Sequence, residues 1–169
     1  MVSGSRKGIV CSTDIRSDRW ATAFKHGTTV THLRVAPDGN KHRVIVAGVN
    51  NTMAIYDRRW LGRGPNGLPV LSFPEYRNEA RVKIGWDLCE ETGVVVAAEG
   101  RGVGLYSVST GARVGELPVG DRIEQGNPVR CLRVARTGKE AMPSVFVGIR
   151  GAVAKFSWGL EQDDDGKGE

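Results

Sequence analysis

Residues Val44 to Arg59, VIVAGVNNTMAIYDRR, decide the reading of this chain. Val44-Ile45-Val46 is strongly strand-forming and runs through Ala47-Gly48 into Val49-Asn50-Asn51-Thr52. Asn tolerates left-handed backbone angles, so this is the chemistry of a tight turn. Met53-Ala54-Ile55-Tyr56 is a second apolar run, closed by Asp57, Arg58 and Arg59. Two short strand-formers around a polar turn predict a β-hairpin. Its second strand ends in an aromatic, an acid and, two places on, an arginine.

The figure recurs. Gly8 to Arg16, GIVCSTDIR, ends in Asp14 and Arg16. Val94 to Ser107 forms a second hairpin with Tyr106 in the place of Tyr56, and Val145 to Ser157 a third with Phe156 there. Asp14, Asp57, Ser107 and Ser157 are equivalent positions, spaced 43, 50 and 50 residues apart. Several short strands in each such period are the mark of a β-propeller.

Working outward, Val30 to Ala36, VTHLRVA, and Val129 to Ala135, VRCLRVA, are nearly one phrase. Pro69 to Phe73 and Ala80 to Asp87 are predicted as further strands, and Pro37-Asp38-Gly39-Asn40 as a turn. No helical periodicity is present. The expected fold is all-β, a partial propeller of three to four blades of antiparallel four-stranded sheets, with about thirteen strands. The units fall near 8–24, 30–73, 80–117 and 129–158, making 1–158 one partial propeller. Residues 1–7 are expected to be a loose entry and 159–169 a disordered acidic tail. A closed ring needs more blades, so the chain is expected to be a piece of a longer propeller that exposes apolar faces and self-associates when alone.

The chain has 169 residues, 40% of them hydrophobic, which is enough for one core-forming domain. No apolar run approaches the roughly 18–20 residues of a membrane span, and no signal peptide is visible, so no membrane role is expected. Cys11, Cys89 and Cys131 are odd in number and far apart, which reads as reduced thiols in an intracellular protein, nuclear or cytoplasmic. No zinc spacing occurs, and neither a metal nor another cofactor is expected. Net charge is +5, and the acidic tail conceals a larger excess on the remainder. A basic surface can attract nucleic acid, but the arginines and lysines read as scattered, with no aromatic platform among them.

Gly100, Gly102 and Gly104 join two strands and open no helix, so they are hairpin glycines rather than a phosphate loop. Asp163 to Asp165 lie in the tail, and Glu90-Glu91 has no histidine or lysine around it in sequence. Nothing reads as an active site, and no catalytic residue is assigned.

With these residues in hand, the chain resembles WD-repeat propellers. It is most similar to the C-terminal half of the cullin-4-associated WD-repeat factor 4 family, substrate receptors of cullin-4 RING ubiquitin ligases. The resemblance rests on STDIR at 12–16, FKHGTTVTHLRV at 24–35 and AIYDRR at 54–59. It continues in TGVVVAAEG at 92–100, GLYSVSTGARVGELP at 104–118 and VGIRGAVAKFSW at 147–158. It implies a non-catalytic scaffold that docks on the cullin-4 adaptor, a triple-propeller protein, and receives a protein substrate that the sequence does not name. In the family a WD-x-R phrase does the docking. Here Asp14 with Arg16, and Asp57 with Arg59, match its Asp and Arg, while its Trp is absent. The third and fourth repeats carry Ser107 with Ser109 and Ser157 with Gly159 instead. The same Asp and Arg could equally knit a blade together. A generic scaffold in another complex and an RNA- or chromatin-associated propeller remain alternatives. His26 resembles the repeat histidine that hydrogen-bonds inside a blade. Its usual hydroxyl partner is replaced by Ala47 or Val46, so that network is expected to be incomplete. Tyr56, Tyr106 and Phe156 are the matching structural aromatics.

Overall fold

The computed structural model describes residues 1–13, 16, 20–39, 41–59, 67–79, 81–100, 102–119, 129–138 and 140–158, with the side chains of 20–23 excepted. Among the described residues there are fourteen strands and no helix. β1 (Val2–Gly4), β2 (Ile9–Thr13) and β3 (Trp20–Lys25) form the first antiparallel sheet. β4 (Val30–Val35), β5 (Arg43–Gly48), β6 (Met53–Asp57) and β7 (Leu71–Ser72) form the second. β8 (Trp86–Cys89), β9 (Val94–Ala98), β10 (Val103–Ser107) and β11 (Arg113–Leu117) form the third. β12 (Cys131–Ala135), β13 (Ser144–Ile149) and β14 (Ala152–Ser157) form the fourth. In each sheet neighbours in space are neighbours in sequence. This is a partial propeller of four blades.

The blades pack face on face through three separate cores. Val10 and Phe24 of the first sheet meet Val44, Val46, Ala54 and Tyr56 of the second. Alternation then sends Ile45, Ala47, Met53 and Ile55 to the opposite face of that sheet, where they meet Trp86, Leu88, Val95, Ala97 and Tyr106 of the third. Val96, Ala98, Val103 and Leu105 continue to Leu132, Val145 and Val147 of the fourth. The central strands of the middle blades are therefore apolar on both faces, which is why VIVAG and VVVAA do not alternate in polarity. Each buried Val, Leu or Ile contributes roughly 1.5–3 kcal/mol.

Turn chemistry sets the hairpins. Asn50 and Asn51 both take positive φ, 55° and 57°, so the β5–β6 connection twists in the sense that suits a two-residue hairpin. That tip docks on the segment leading to the third blade. Asn51 Oδ1 accepts the Asn78 amide at 2.7 Å, and the buried Asn78 side chain donates to Gly48 O and Arg81 O. Gly111, at φ 74°, turns the chain after β10 where a Cβ would lie 2.3 Å from the Ser72 carbonyl of the neighbouring blade.

Several expectations change. Residues 2–4 form a strand rather than a loose entry, because Val2, Ser3 and Gly4 pair with Ser12, Cys11 and Val10. The count is accordingly three, four, four and three. The strand placed at Ala80 to Asp87 is instead Trp86–Cys89, since Asn78 ties down the chain before it. The strand placed at Pro69 to Phe73 shrinks to Leu71–Ser72, pairing only with Ile55 and Ala54. The acidic tail lies outside the described residues. Among the described residues no helix is long and apolar enough to cross a membrane.

Candidate docking site

Cross-strand register makes the repeats superimposable. Asp57 stands opposite Arg43, Ser107 opposite Val94 and Ser157 opposite Ser144. One residue earlier, Tyr56, Tyr106 and Phe156 stand opposite Val44, Val95 and Val145. Tyr56 and Tyr106 are buried, and Phe156 is half-buried against the core between the third and fourth blades.

At the end of β6, alternation puts Asp57 and Arg59 on one side of the chain. Arg59 Nε donates to Asp57 Oδ1 at 3.0 Å and Nη2 to Oδ2 at 2.6 Å. The Arg59 backbone N–H adds a third bond to Oδ1 at 3.0 Å. The carboxylate is 3% exposed while the guanidinium is 53% exposed. Asp57 is thus the anchor and Arg59 the presented group. The Arg59 guanidinium holds the Asp57 carboxyl down to about 2, with Arg43 assisting. A bidentate clamp fixes the planar fork, so the remaining guanidinium donors face solvent in one orientation. The place is kept in the next blade with different chemistry: Ser107 Oγ lies 2.9 Å from Ser109 Oγ.

Of the matching pair in the first blade, Arg16 lies exposed in a turn, and Asp14 is outside the described residues. Arg16 follows β2 in sequence as Arg59 follows β6, and Arg58 Nη1 reaches Ser12 Oγ of the first blade at 3.4 Å. Arg58 also donates to the Lys41 carbonyl at 2.8 Å, and its amide to the His42 carbonyl at 2.9 Å. The β4–β5 turn therefore brings Lys41 and Arg43 beside Arg58 and Arg59. Four basic residues that are apart in sequence, Lys41, Arg43, Arg58 and Arg59, thus come together at this end of the second blade, with Asp38 and Asp57 among them. The signal was the strand pairing itself: opposing ends of one hairpin each carry basic residues.

At the opposite end of the same blade, the His26 network is complete, contrary to expectation. Nδ1 lies 2.9 Å from the Tyr56 hydroxyl, and Nε2 lies 3.2 Å from Thr52 Oγ1. Thr28 Oγ1 is 2.6 Å from the same Thr52 oxygen, and Thr52 donates to Val49 O at 2.8 Å. Thr52 has one proton, so His26 Nε2 and Thr28 donate to it and Tyr56 donates to Nδ1. Ala47 and Val46 are indeed apolar, but the hairpin turn supplies the hydroxyl five residues later. Burial lowers the His26 pKa, in keeping with this neutral ring. Thr52→Val removes one acceptor and one donor from the network. A loss of roughly 1–2 kcal/mol in urea unfolding is expected, with Thr52→Ser recovering most of it.

Tyr106 has an unforeseen partner set. Its hydroxyl donates to buried Glu99, whose other carboxylate oxygen receives Arg113 Nη2 at 3.0 Å. Arg113 also pairs with Glu116. Two inner-strand contacts were equally unforeseen. His32 stacks on Trp86, with centroids 5.4 Å apart and planes 14° apart. Asp87 Oδ2 accepts the Val134 amide of the next blade at 2.9 Å. Among the described residues no group of three or more His, Cys, Asp or Glu could hold a metal ion.

No family model and no curated protein matches the chain. Its fold is similar to a solved structure, the WD40 β-propeller domain of Doa1, with a TM-score of 0.66 and 15% sequence identity. The match covers 94% of this chain and 46% of that one. The chain has the WD40-type propeller architecture and spans about half the length of that domain.

Proposed function

We propose that the protein is a non-catalytic interaction scaffold and, more specifically, a substrate-receptor subunit of a cullin-4 RING ubiquitin ligase. The clamped Asp57–Arg59 pair carries this reading. It presents a fixed, half-exposed guanidinium at a strand end, as the WD-x-R phrase requires for docking on the adaptor. Arg16 supplies the second contact from the adjacent blade, and Asp14 and Asp57 orient the two strand ends. Arg is among the residues that dominate binding energy at interfaces, and a pre-oriented fork loses little entropy when it binds. The residues as units near 8–24, 30–73, 80–117 and 129–158 then form one docking body, with its substrate gripped by other loops. The protein acts inside the cell, in the nucleus or cytoplasm, on this reading.

Capture of the chain by the immobilised adaptor tests it. Arg16→Ala with Arg59→Ala is expected to abolish capture at a temperature where circular dichroism shows the variant still folded, since Arg59→Ala also costs stability by leaving the buried Asp57 carboxylate without its clamp. Undiminished capture rejects adaptor docking. The cluster of Lys41, Arg43, Arg58 and Arg59 supports a second reading, an RNA-associated propeller. A steep fall of affinity for single-stranded RNA with rising salt would favour it.

A further inference from the structure

The strand ends around Arg59 gather more positive charge than the clamp uses. The β4–β5 turn is stapled to the end of β6, because the Arg58 amide donates to the His42 carbonyl and Arg58 Nη2 to the Lys41 carbonyl. Arg43 stands opposite Asp57 across the β5–β6 ladder. Lys41, Arg43, Arg58 and Arg59 thus share one blade end with two carboxylates, Asp38 and Asp57. Both carboxylates are already engaged, Asp38 by Arg43 at 2.9 Å and Asp57 by Arg59 at 2.6 Å. Among the described residues the Arg58 guanidinium donates only to neutral oxygens, Ser12 Oγ and the Lys41 carbonyl. Lys41 is exposed. This end of the blade therefore keeps two positive charges, on Lys41 and Arg58, that the described residues do not neutralise.

Two anionic chemistries could answer them, phosphate and carboxylate. Single-stranded nucleic acid is held largely by bases stacked on exposed aromatics, and none of the described aromatic side chains is exposed. Asp38 and Asp57 are also set among the cations. A continuous phosphate backbone would run across them, whereas separate side-chain carboxylates can step between them. We propose that this end of the second blade binds an acidic segment of a protein partner, with Lys41, Arg58 and the clamped Arg59 meeting its carboxylates. Arg59 offers the free donors of a fixed fork, and Lys41 a point charge on a flexible stem that tolerates varied spacing. Complementarity of this kind steers association and sets register, and it weakens with salt. The inference deepens the docking reading by giving the partner's face a charge, and it rests on the protein being an interaction scaffold rather than on which adaptor it meets.

The test titrates fluorescein-labelled deca-glutamate with the full 169-residue chain by fluorescence anisotropy at low and high salt. A neutral glycine-serine peptide and an oligouridylate, both of equal length, serve as comparisons. Deca-glutamate is expected to bind at low salt, to lose about tenfold in affinity at high salt, and to bind more tightly than either comparison. Lys41→Glu is expected to weaken it about fivefold and Lys41→Gln about twofold. Lys83→Glu makes the same charge change on an exposed residue ahead of β8, beyond the segment that meets the Asn51 tip, and is expected to have a distinctly smaller effect. No binding of deca-glutamate, equal effects of Lys41→Glu and Lys83→Glu, or tighter binding of the oligouridylate overturns the proposal, the last by assigning the surface to RNA. The docking reading fails on its own measurement, undiminished adaptor capture by the double arginine variant, while this proposal fails on Lys41, which that variant leaves in place.

Discussion

Replacing Asp87 with alanine is expected to cost about 3 kcal/mol or more and to release the fourth blade from the third. The Asp87 carboxylate is buried. It accepts the Leu88 amide at 3.0 Å through Oδ1 and the Val134 amide at 2.9 Å through Oδ2. Arg133 Nε approaches the same oxygen at 3.5 Å. Alanine leaves two backbone donors unsatisfied, each costing roughly 1–3 kcal/mol. Because Val134 belongs to β12 and Asp87 to β8, half of that loss falls on the contact between blades rather than within one. Two measurements check this. The urea midpoint should fall with a broadened or two-step transition, and the Val134 amide should lose protection from hydrogen exchange before amides of β9 and β10. Asp87→Asn retains an acceptor oxygen and should cost distinctly less. A cooperative transition shifted by under about 1 kcal/mol would show that the apolar core between these blades carries the joint alone.

The architecture was legible because it is written in apolar runs and turn residues. VIVAG and VVVAA are long enough, and apolar on both faces, to be central strands, and Asn50-Asn51 can only be a tight turn. What periodicity does not encode is which blade a polar side chain addresses. Register shows that Arg34, Asp87 and Arg133 occupy one place on successive inner strands, opposite Ile45, Val96 and Phe146. The near-repeat of VTHLRVA and VRCLRVA exposes two of the three. The third was hidden because its strand was expected to end at Asp87, where in fact it runs on to Cys89. The clamp between Asp57 and Arg59 follows from spacing alone, since an i, i+2 pair shares a face at a strand end. The cluster around it does not, because Lys41 and Arg43 reach it through a turn sixteen residues away from Arg59 in the case of Arg43. Likewise the hydroxyl for His26 comes from the hairpin tip, a partner that no position-by-position comparison of strands would offer.

The pH profile of stability is expected to slope between about pH 6.5 and 4, and His32 is the main cause. Its ring is pressed against Trp86, with Nδ1 3.2 Å from Thr31 Oγ1. Burial pulls its pKa from 6.5 down to about 4, and Arg34 pushes the same way, while Asp87 and a hydrogen bond to the Ile84 backbone oppose them. The unfolded chain therefore takes up a proton at a pH where the folded chain still refuses it. The stabilisation is complete above pH 6.5, declines as pH falls towards 4, and levels off below that. A gap of this size corresponds to a loss on the order of 3 kcal/mol. Asp57, held down to about 2, acts in a separate window, its contribution being lost only as pH falls from about 3.8 to 2. His26, also lowered by burial, slopes in the same direction as His32. Urea midpoints between pH 7.5 and 4 should therefore fall in the parent and fall much less in His32→Asn, with any residual slope assigned by His26→Asn. Asp87→Ala removes an opposing charge from His32 and should steepen the decline rather than relieve it. A parent and a His32→Asn variant with the same slope would mean that the stacked ring titrates as an exposed one, and the joint between the second and third blades would then owe nothing to its neutrality.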